Sequence, residues 1–525
     1  MDQPRDASPT PQARWSRPFE PVDAASLAVF RIAFGFLMLW EVLHFFSNGL
    51  LGSLFVEPAF LFKFHGLEWV RPWPGVWLYV HFAALGAMSI LIMIGLWYRV
   101  AVALFAVGFT YVFLLDQGLY LNHFYLICLV SLLMAFVPAN RVWSIDAMKH
   151  RGRPATVPAW SLWLMRWQFG IVYVYAGIAK LNGEWFHGEP MRSFLANLDE
   201  ALIIGPWVET QGLIWFFTIG GLLFDLLVVP LLLWRRTRLA AFAAATFFHV
   251  NNMFLFNIDV FPWFMIAATT LFLSPDWPRR LLGRWRPAPA PETAVDAAYV
   301  GPLSTRRKVV LTLIGAYLAV QLLCPLRHFL YPGNAQWTEE GNRFAWHMLL
   351  GVKRTQVRFH VTDARNEKVW IVDPADFLPA REVGLLNTSP TLTAAYMLTL
   401  AKQWRDNGYD GVSIRRQRLP VVFQVTDPAS GQEWTINPVD LGLPPKQARR
   451  MSGTPDMVLQ FAHFIARRMH EAGHAGVEVR ADGLMSLHGR EYQHLIDPVV
   501  DLAAEPRTLG HVGWIRPLEK PFPQR

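Results

Sequence analysis

The fold of this chain is decided early, in the stretch ASLAVFRIAFGFLMLWEVLHFF, which runs from Ala25 to Phe46. An α-helix needs about 20 mainly apolar residues to cross the hydrocarbon of a bilayer, and this stretch is long enough. The residues before Ala25 include Asp, Pro and Arg, and the stretch lacks a small-residue cleavage site. We therefore expect it to remain in the protein as a membrane-spanning helix and not to be removed as a signal peptide.

Eight further apolar stretches follow the first, and together they predict an all-α bundle of about nine transmembrane helices. The composition agrees, because 53% of the 525 residues are hydrophobic and only 17% are charged, which is unusually apolar for a soluble protein. The further stretches are Trp77 to Leu96, Val100 to Leu115, Leu121 to Val137, Trp160 to Ala179, Leu213 to Trp234, Leu239 to His249, Val260 to Leu273 and Val309 to Leu323.

The net charge of +8 is compatible with a nucleic-acid partner, with acidic lipid or with the excess of positive charge on the inner side of membrane proteins. The placement of the basic residues favours the last explanation. If the N-terminus is cytoplasmic, the outer segments between spans hold only Lys63, Arg71, Lys180 and Arg192. We therefore expect a cytoplasmic N-terminus, an extracytoplasmic chain after Leu323 and no nucleic-acid partner.

From about Leu330 the sequence has the composition of a soluble protein. This change and the start of the first apolar stretch at Ala25 divide the chain into three parts. Residues 1–24 are interpreted as a cytoplasmic tail, residues 25–329 as the transmembrane domain, and residues 330–525 as an extracytoplasmic α+β domain. A bacterial inner membrane is the expected location, and the lipid bilayer is the first expected partner.

The outer domain contains an internal repeat at an offset of 64 residues. VRFHVTD at Val357 to Asp363 returns as VVFQVTD at Val421 to Asp427. In each copy two alternating stretches separated by a turn are followed by a helical pattern and another strand-like stretch. The sequence thus predicts a duplicated β,β,α,β unit, in residues 357–415 and 421–480.

Neither a disulfide framework nor a metal site is expected. The only cysteines, Cys128 and Cys324, fall within or beside apolar stretches, where a thiol is most often a small packing residue. The histidines do not follow HExxH or another ligand spacing.

Lys180 is the first candidate for chemistry. It ends the fifth stretch in YAGIAKLN, at the outer boundary of the membrane and among apolar neighbours. Burial disfavours the ammonium form, so a lysine in this position can act as a base. The alternative is a lysine that extends to the lipid headgroups.

Further polar residues fall at the same outer level. Asn122 and His123 open the fourth stretch, His249 and Asn252 lie near the outer end of the seventh, and His328 follows the ninth. Singly, each histidine is more simply a hydrogen-bonded packing residue. Their convergence at one membrane depth favours a site that handles a lipid-soluble substrate together with a polar one.

Two acids lie inside the apolar stretches. Asp225 falls in GGLLFDLL and Glu41 in the first span. Intramembrane acids are functional candidates by default, and pairing with a neighbouring helix is the simpler alternative for both.

Several motifs occur in order along the chain, at Ala25 to Met38, Tyr111 to Asp116, Asn122 to Leu126, Ala139 to Asp146, Ile171 to Trp185, Ser274 to Arg279, Arg327 to Thr338, Arg490 to Asp501 and Trp514 to Leu518. These motifs resemble those of the vitamin K-dependent gamma-glutamyl carboxylases and, more broadly, of the horizontally transferred transmembrane (HTTM) family that contains them. They extend over nearly the whole chain.

The resemblance implies a carboxylase that oxidises reduced vitamin K, phylloquinol or menaquinol, with dioxygen. The energy released drives the addition of carbon dioxide to glutamyl side chains of a peptide or protein. Lys180 falls at the family's catalytic lysine position, as the base that deprotonates the quinol, and His123 at a histidine of the carboxylation half-reaction. Asn122, His249, Asn252 and His328 become candidates for the quinol site.

The chain also departs from the family pattern. Ala179 replaces the first of two lysines found in vertebrate members, and the disulfide of those members cannot form here. Two alternatives therefore stay open. One is a quinol epoxidase or oxidoreductase without glutamyl carboxylation, and the other is a non-catalytic membrane scaffold or transporter.

Overall fold

The structure is a computed structural model that describes residues 17–150, 152–195, 210–256, 258–283, 304–363, 368–378, 390–409 and 411–522, and also residues 207, 365 and 383. Its first part is helical and its last part contains small β-sheets. The predicted order, a helical region followed by an α+β region, is present.

A helix coincides with each of the nine apolar stretches. The helices are α1 Ala25–Ser47, α2 Val76–Ile94, α3 Tyr98–Leu114, α4 Asn122–Phe136, α5 Ala159–Ala179, α6 Gln211–Leu233, α7 Arg238–Phe256, α8 Phe261–Thr269 and α9 Thr305–Leu323. Shorter helices, left unnumbered, are Ile145–Lys149, Gly183–Phe186, Glu189–Leu195, Trp277–Gly283 and Ala335–Thr338.

Five of these helices in the described chain are long and apolar enough to cross a membrane, namely α1, α2, α6, α7 and α9, the last with its 3₁₀ continuation to Leu330. The helices α3, α4 and α8 are apolar but shorter. The helix α5 has sufficient length but carries Arg166 and Gln168. The structure therefore supports about five candidate spans, and the count of nine stays a prediction.

Opposite faces of α1 show why the helices suit a bilayer. Phe30 and Phe34 are buried in the shared core, where their rings pack against that of Phe264 in α8. On the other face Phe36 and Trp40 are half exposed. Large apolar groups exposed along a helix are stable against lipid and unfavourable in water, which makes this a multi-pass membrane protein.

The described β-strands form one two-stranded and three three-stranded sheets, all antiparallel. The strands are β1 Pro21–Asp23, β2 Thr156–Pro158, β3 Lys353–Thr355, β4 Val357–Asp363, β5 Val369–Val372, β6 Val412–Arg418, β7 Val422–Thr426, β8 Glu433–Ile436, β9 Glu478–Asp482, β10 Leu484–Leu487 and β11 Gln493–His494. The strands β1 and β2 pair with each other beside α1 and α5, and β10 lies between β3 and β11.

The two remaining sheets have the same strand order. The strand β4 lies between β5 and β6, and β7 lies between β8 and β9. The helix α10, Pro390–Asp406, precedes β6 in the chain, while α11, Pro445–Ser452, and α12, Pro455–Glu471, precede β9. Descent of the two sheets from one duplicated unit stays a prediction.

The loop between α1 and α2 packs into the outer domain. Phe62 is fully buried in the core built around Phe423 of β7 and Phe461 of α12. Phe60 adds a ring contact with Phe464, at 4.9 Å between centroids. The membrane region and the outer domain therefore share a hydrophobic core, which fixes how the outer domain lies over the helices.

Candidate functional site

A cavity of about 250 Å³ lies among α4, α5, α6, α7 and α8. A segment of the outer domain completes its wall. We call residues 341–349 the wall segment, because His347, Met348 and Leu349 line the cavity. The polar side chains around it are Asn122, His123, Tyr173, Lys180, Asp225, His249, Asn252 and His347.

Lys180 lies at the C-terminal cap of α5 and is buried in this cavity. Its Nζ donates a hydrogen bond of 2.6 Å to Asp225 Oδ2 in α6 and another of 3.2 Å to the Ala176 carbonyl. The ammonium also lies 5.1 Å from the ring centroid of Trp185. Asp225 thus pairs with a neighbouring helix, as the simpler alternative supposed, and its partner is the predicted base.

A close approach of α5 and α6 makes this ion pair possible. A Cβ atom added to Gly177 would lie 2.6 Å from Leu226 Cδ2 and 3.2 Å from its backbone nitrogen. Glycine therefore lets the two helices touch one turn before Lys180, where Asp225 precedes Leu226. Trp185 strengthens the contact, because its Nε1 donates to the Thr218 carbonyl of α6 at 2.9 Å.

His249 of α7 lies on another wall of the cavity. Its Nε2 is 2.7 Å from the hydroxyl oxygen of Tyr173, which also lies 3.3 Å from Thr269 Oγ1. The other ring nitrogen, Nδ1, is buried and has no hydrogen-bond partner among the described residues. Asn252 lies one turn further along α7 and is also buried. The histidine is held by one nitrogen, and the other is free for a ligand.

His123 is buried at the start of α4 and packs against Phe261, with 5.7 Å between ring centroids. Its Nε2 is likewise buried and lacks a hydrogen-bond partner in the described chain. Asn122 Nδ2 donates a 2.8 Å hydrogen bond to the His347 carbonyl, so α4 is joined directly to the wall segment.

His328 does not line the cavity. Its Nδ1 is 2.7 Å from the Pro325 carbonyl oxygen, and its ring centroid lies 4.6 Å from that of His347. His347 does line the cavity, and burial lowers its pKa to about 4. In the part of the chain that the structure describes, His328 therefore contacts the site through the ring of His347, a residue that sequence reasoning did not identify.

The wall segment has an unusual backbone. Phe344, Trp346 and Leu349 all have positive φ angles, of 62°, 58° and 55°. Bulky side chains rarely adopt this conformation, and such strain is found most often at functional sites. The hydroxyl of Tyr120 accepts a 2.8 Å hydrogen bond from the Phe344 amide and helps to hold the segment in place.

A buried ion pair joins the site to the outer domain. Arg490 donates two hydrogen bonds of 2.9 Å to the carboxylate of Glu184, which follows Lys180 by four residues. Asn334 donates to the same carboxylate, and the Phe522 ring covers the guanidinium of Arg490 at 3.7 Å. Arg490 belongs to one of the resembling motifs, but nothing in the sequence identified Glu184 as its partner.

Within the described residues there is no group of three or more His, Cys, Asp or Glu side chains arranged to hold a metal ion. Cys128 and Cys324 are both free.

Fold and site together define a multi-pass membrane protein with a C-terminal α+β region and a buried cavity between this region and the helices. Residues 19–277 match the family model for the HTTM domain. Residues 306–419 and 402–521 match the model described as the vitamin K-dependent gamma-carboxylase lumenal domain. No solved structure matches the chain.

The chain belongs to the vitamin K-dependent gamma-glutamyl carboxylase family. The resemblance found in the sequence is confirmed. The lumenal-domain match implies an enzyme of the carboxylase kind and a dependence on vitamin K.

Proposed function

We propose that this chain couples the oxidation of a reduced naphthoquinone by dioxygen to the carboxylation of glutamyl side chains. The observation that carries the proposal is the buried Lys180–Asp225 pair inside a largely apolar cavity, in a chain of the carboxylase family. Phylloquinol or menaquinol is the proposed cofactor, and carbon dioxide the second co-substrate.

The cavity suits the head group of a naphthoquinol. Apolar side chains such as Val172, Phe217 and Phe248 offer contacts to a ring, and the unpartnered nitrogens of His123 and His249 offer hydrogen bonds to its oxygens. Its volume, about 250 Å³, is below the range of about 300–1,000 Å³ for drug-sized ligands. A prenyl tail would therefore lie outside the cavity. When bound, the quinol supplies, with dioxygen, the strong base that a carbon-bound glutamyl proton requires.

Lys180 is proposed as the base that takes the proton of the quinol hydroxyl. Its Nζ has to be uncharged to accept this proton, and Asp225 then stabilises the ammonium that forms. The indole ring of Trp185 adds an attraction for the same charge. The side-chain hydrogen bond of Nζ in the described chain goes to Asp225, which places the proton accepted by Lys180 next to this carboxylate.

Four polar side chains are proposed to orient the ligands. His123 acts in the carboxylation half-reaction, while Asn122, His249 and Asn252 contact the quinol site. His328 acts indirectly, because its ring contacts the ring of His347, which lines the cavity. The apolar walls keep water from the site, and water would quench any base stronger than hydroxide.

The membrane arrangement belongs to the same proposal. All nine helices α1 to α9 are taken as spans, with the N-terminus cytoplasmic and the outer domain, built from a duplicated β,β,α,β unit, on the opposite side. A bacterial inner membrane is the proposed location. Lys180 then faces the same compartment as the domain that carries Arg490, in agreement with their connection through Glu184.

Lys180→Ala tests the proposal. Purified protein in nanodiscs is incubated with the reduced vitamin, labelled bicarbonate and a glutamyl peptide, and both epoxide and labelled peptide are measured. General bases contribute about 100- to 10,000-fold, so we expect a loss of both products of at least about 100-fold. Lys520→Ala, at a half-exposed lysine of the outer domain, is the control and should retain both.

The outcomes separate the alternatives. Absence of both products from folded wild-type protein contradicts the enzyme proposal and leaves a scaffold or transporter. Epoxide without labelled peptide contradicts glutamyl carboxylation and indicates a quinol epoxidase. Unchanged rates in Lys180→Ala, with wild-type melting behaviour, exclude Lys180 as the base.

A further inference from the structure

A second cavity, of about 420 Å³, lies between the outer domain and the membrane region. The loop after α1 contributes Phe64 and Leu67, the end of α3 contributes Leu114, and α12 contributes Leu459. We call it the interdomain cavity. Thr508 and Leu509 at its edge are exposed, so it can be reached from the aqueous side.

Every carboxylate in the lining of the interdomain cavity already has a basic partner. Those partners are described residues at ordinary ion-pair distances; Lys353 and Arg507 neutralise two of the acids, whereas His511 neutralises the third only when it is protonated. The pairs are Glu339 with Lys353 at 2.8 Å, Glu340 with His511 at 3.0 Å, and Asp456 with Arg507 at 2.7 Å.

Two arginines in the lining remain without a carboxylate partner in the described chain. Arg327 donates to the Arg343 carbonyl at 2.5 Å, and its guanidinium lies 5.4 Å from the ring centroid of Phe344. The guanidinium of Arg343 forms no hydrogen bond and no ion pair with the described residues. Burial lowers the pKa of Arg343, and the nearby charges of Asp456 and Glu339 only partly oppose this effect.

A guanidinium whose charge is only partly balanced in a partly apolar cavity is stabilised when an anion occupies the site. The planar group binds a carboxylate through two parallel hydrogen bonds, more favourably than it binds water in such surroundings. The interdomain cavity is also larger than the one that contains Lys180, and its apolar walls offer contacts to the residues that carry the carboxylate.

We infer that the interdomain cavity is a docking subsite for a carboxylate of an acidic peptide, held by Arg343 with Arg327 beside it. The inference rests on the proposed function, since the peptide is its acceptor. The docked carboxylate is not the reacting one, because Arg343 lies in a different cavity from Lys180. The wall segment contributes to both cavities: Arg343 lines one, and His347, four residues later, lines the other.

Binding can be measured without catalysis. Fluorescein-labelled hexaglutamate and hexaglutamine are titrated against the full-length protein in nanodiscs, and fluorescence anisotropy reports binding. We expect the wild type to bind hexaglutamate at least about tenfold more tightly than hexaglutamine, with an affinity that falls as salt rises. Arg343→Gln should lower the hexaglutamate affinity about tenfold. Arg343→Lys should lower it by less, because the lysine ammonium keeps the positive charge although it cannot form the two parallel hydrogen bonds of the guanidinium.

Arg468→Gln is the matched control. Arg468 is an exposed arginine of α12 whose nearest acid is Glu471, at 3.8 Å, and it does not line the interdomain cavity. Its hexaglutamate affinity should equal that of the wild type. Equal binding of both peptides by the wild type, or equal loss in Arg343→Gln and Arg468→Gln, would overturn the inference.

The experiments distinguish a failure of the proposed carboxylation from a failure of the proposed docking subsite. Arg343-dependent binding of hexaglutamate in a protein that makes no labelled peptide supports the subsite and contradicts carboxylation. Carboxylation whose KM for an acidic peptide is the same in Arg343→Gln as in the wild type supports the reaction and contradicts the subsite. Quinol epoxidation by Arg468→Gln without peptide should remain at the wild-type rate, because Arg468 lines neither cavity.

Discussion

The 2.6 Å contact between Lys180 and Asp225 changes how this lysine has to be understood at the scale of single residues. A carboxylate at hydrogen-bonding distance orients a buried lysine and stabilises the ammonium that forms when the amine accepts a proton. The base of the proposed reaction is therefore the Lys180 amine, with Asp225 as a positioning residue that holds the proton-accepting nitrogen.

We predict that Asp225→Asn slows quinol oxidation by about ten- to hundredfold. The amide retains a hydrogen bond to Lys180 but not the charge, and charge-assisted bonds contribute about 1.5–3 kcal/mol. The effect should appear in kcat more than in KM, and steady-state kinetics of epoxide formation measures both. Glu41→Gln, at the other intramembrane acid, is the control and should leave kcat unchanged; a similar fall in both variants would indicate general damage to the bundle.

Several of these residues could be predicted from residue type and membrane depth. Lys180, His123, His249 and Asn252 are polar groups in apolar stretches, and such groups are rarely placed there without a role. The partner of Lys180 could not be chosen in the same way, because the sequence does not reveal which face of α6 meets α5. His347 could not be identified in this way for another reason: it follows the last predicted span, in a segment whose composition is typical of a soluble protein.

At the scale of elements, the contact between α5 and α6 sets the geometry of the base. Gly177 lets Leu226 approach where a Cβ atom would overlap it. Helices in membranes associate mainly through such close packing of small residues. The distance between Lys180 and Asp225 is thus a property of two helix backbones as much as of two side chains.

Gly177→Ala should separate the two helices locally and lengthen the Lys180–Asp225 contact. We expect a lower kcat for quinol oxidation and a lower melting temperature, because overpacking commonly costs about 1–3 kcal/mol. Gly220→Ala is the control: its Cβ would meet nothing within 4 Å, and alanine is the better helix former. If both variants retain wild-type kcat, the close approach has no functional importance.

The helices themselves were well anticipated, and their boundaries less so. Helix α7 extends from Arg238 to Phe256, beyond the predicted end at His249, because Asn251 and Asn252 are polar but still helical. A prediction based on apolar residues therefore placed the end of this helix one or two turns too early. The hairpins β4–β5 and β7–β8 could be expected from alternation and from the turns between the strands. The burial of Phe62 in the outer core depends on tertiary contacts that no local pattern encodes.

At the scale of the whole molecule, the proposed orientation can be tested by cysteine labelling. Cys128 and Cys324 are the only cysteines, so a cysteine-free background needs two substitutions. In intact bacterial cells, a membrane-impermeant maleimide should label Ser430→Cys in the outer domain. Lys149→Cys and Arg236→Cys, at exposed positions between spans, should react only after permeabilisation. Labelling of Arg236→Cys in intact cells would contradict the proposed topology.

The wall segment has a consequence for how the two parts of the chain depend on each other. His347, Met348 and Leu349 lie beyond the last helix of the bundle, yet they close the chamber around Lys180. A chain ending at Leu330 would retain the helices and the lysine but leave the chamber uncapped toward the outside. We expect bulk solvent then to reach the lysine and to hydrate a base that, in the proposed reaction, has to work in the absence of water. The C-terminal domain would thus exclude solvent from the cavity, and both halves of the chain would be needed to keep the site free of water.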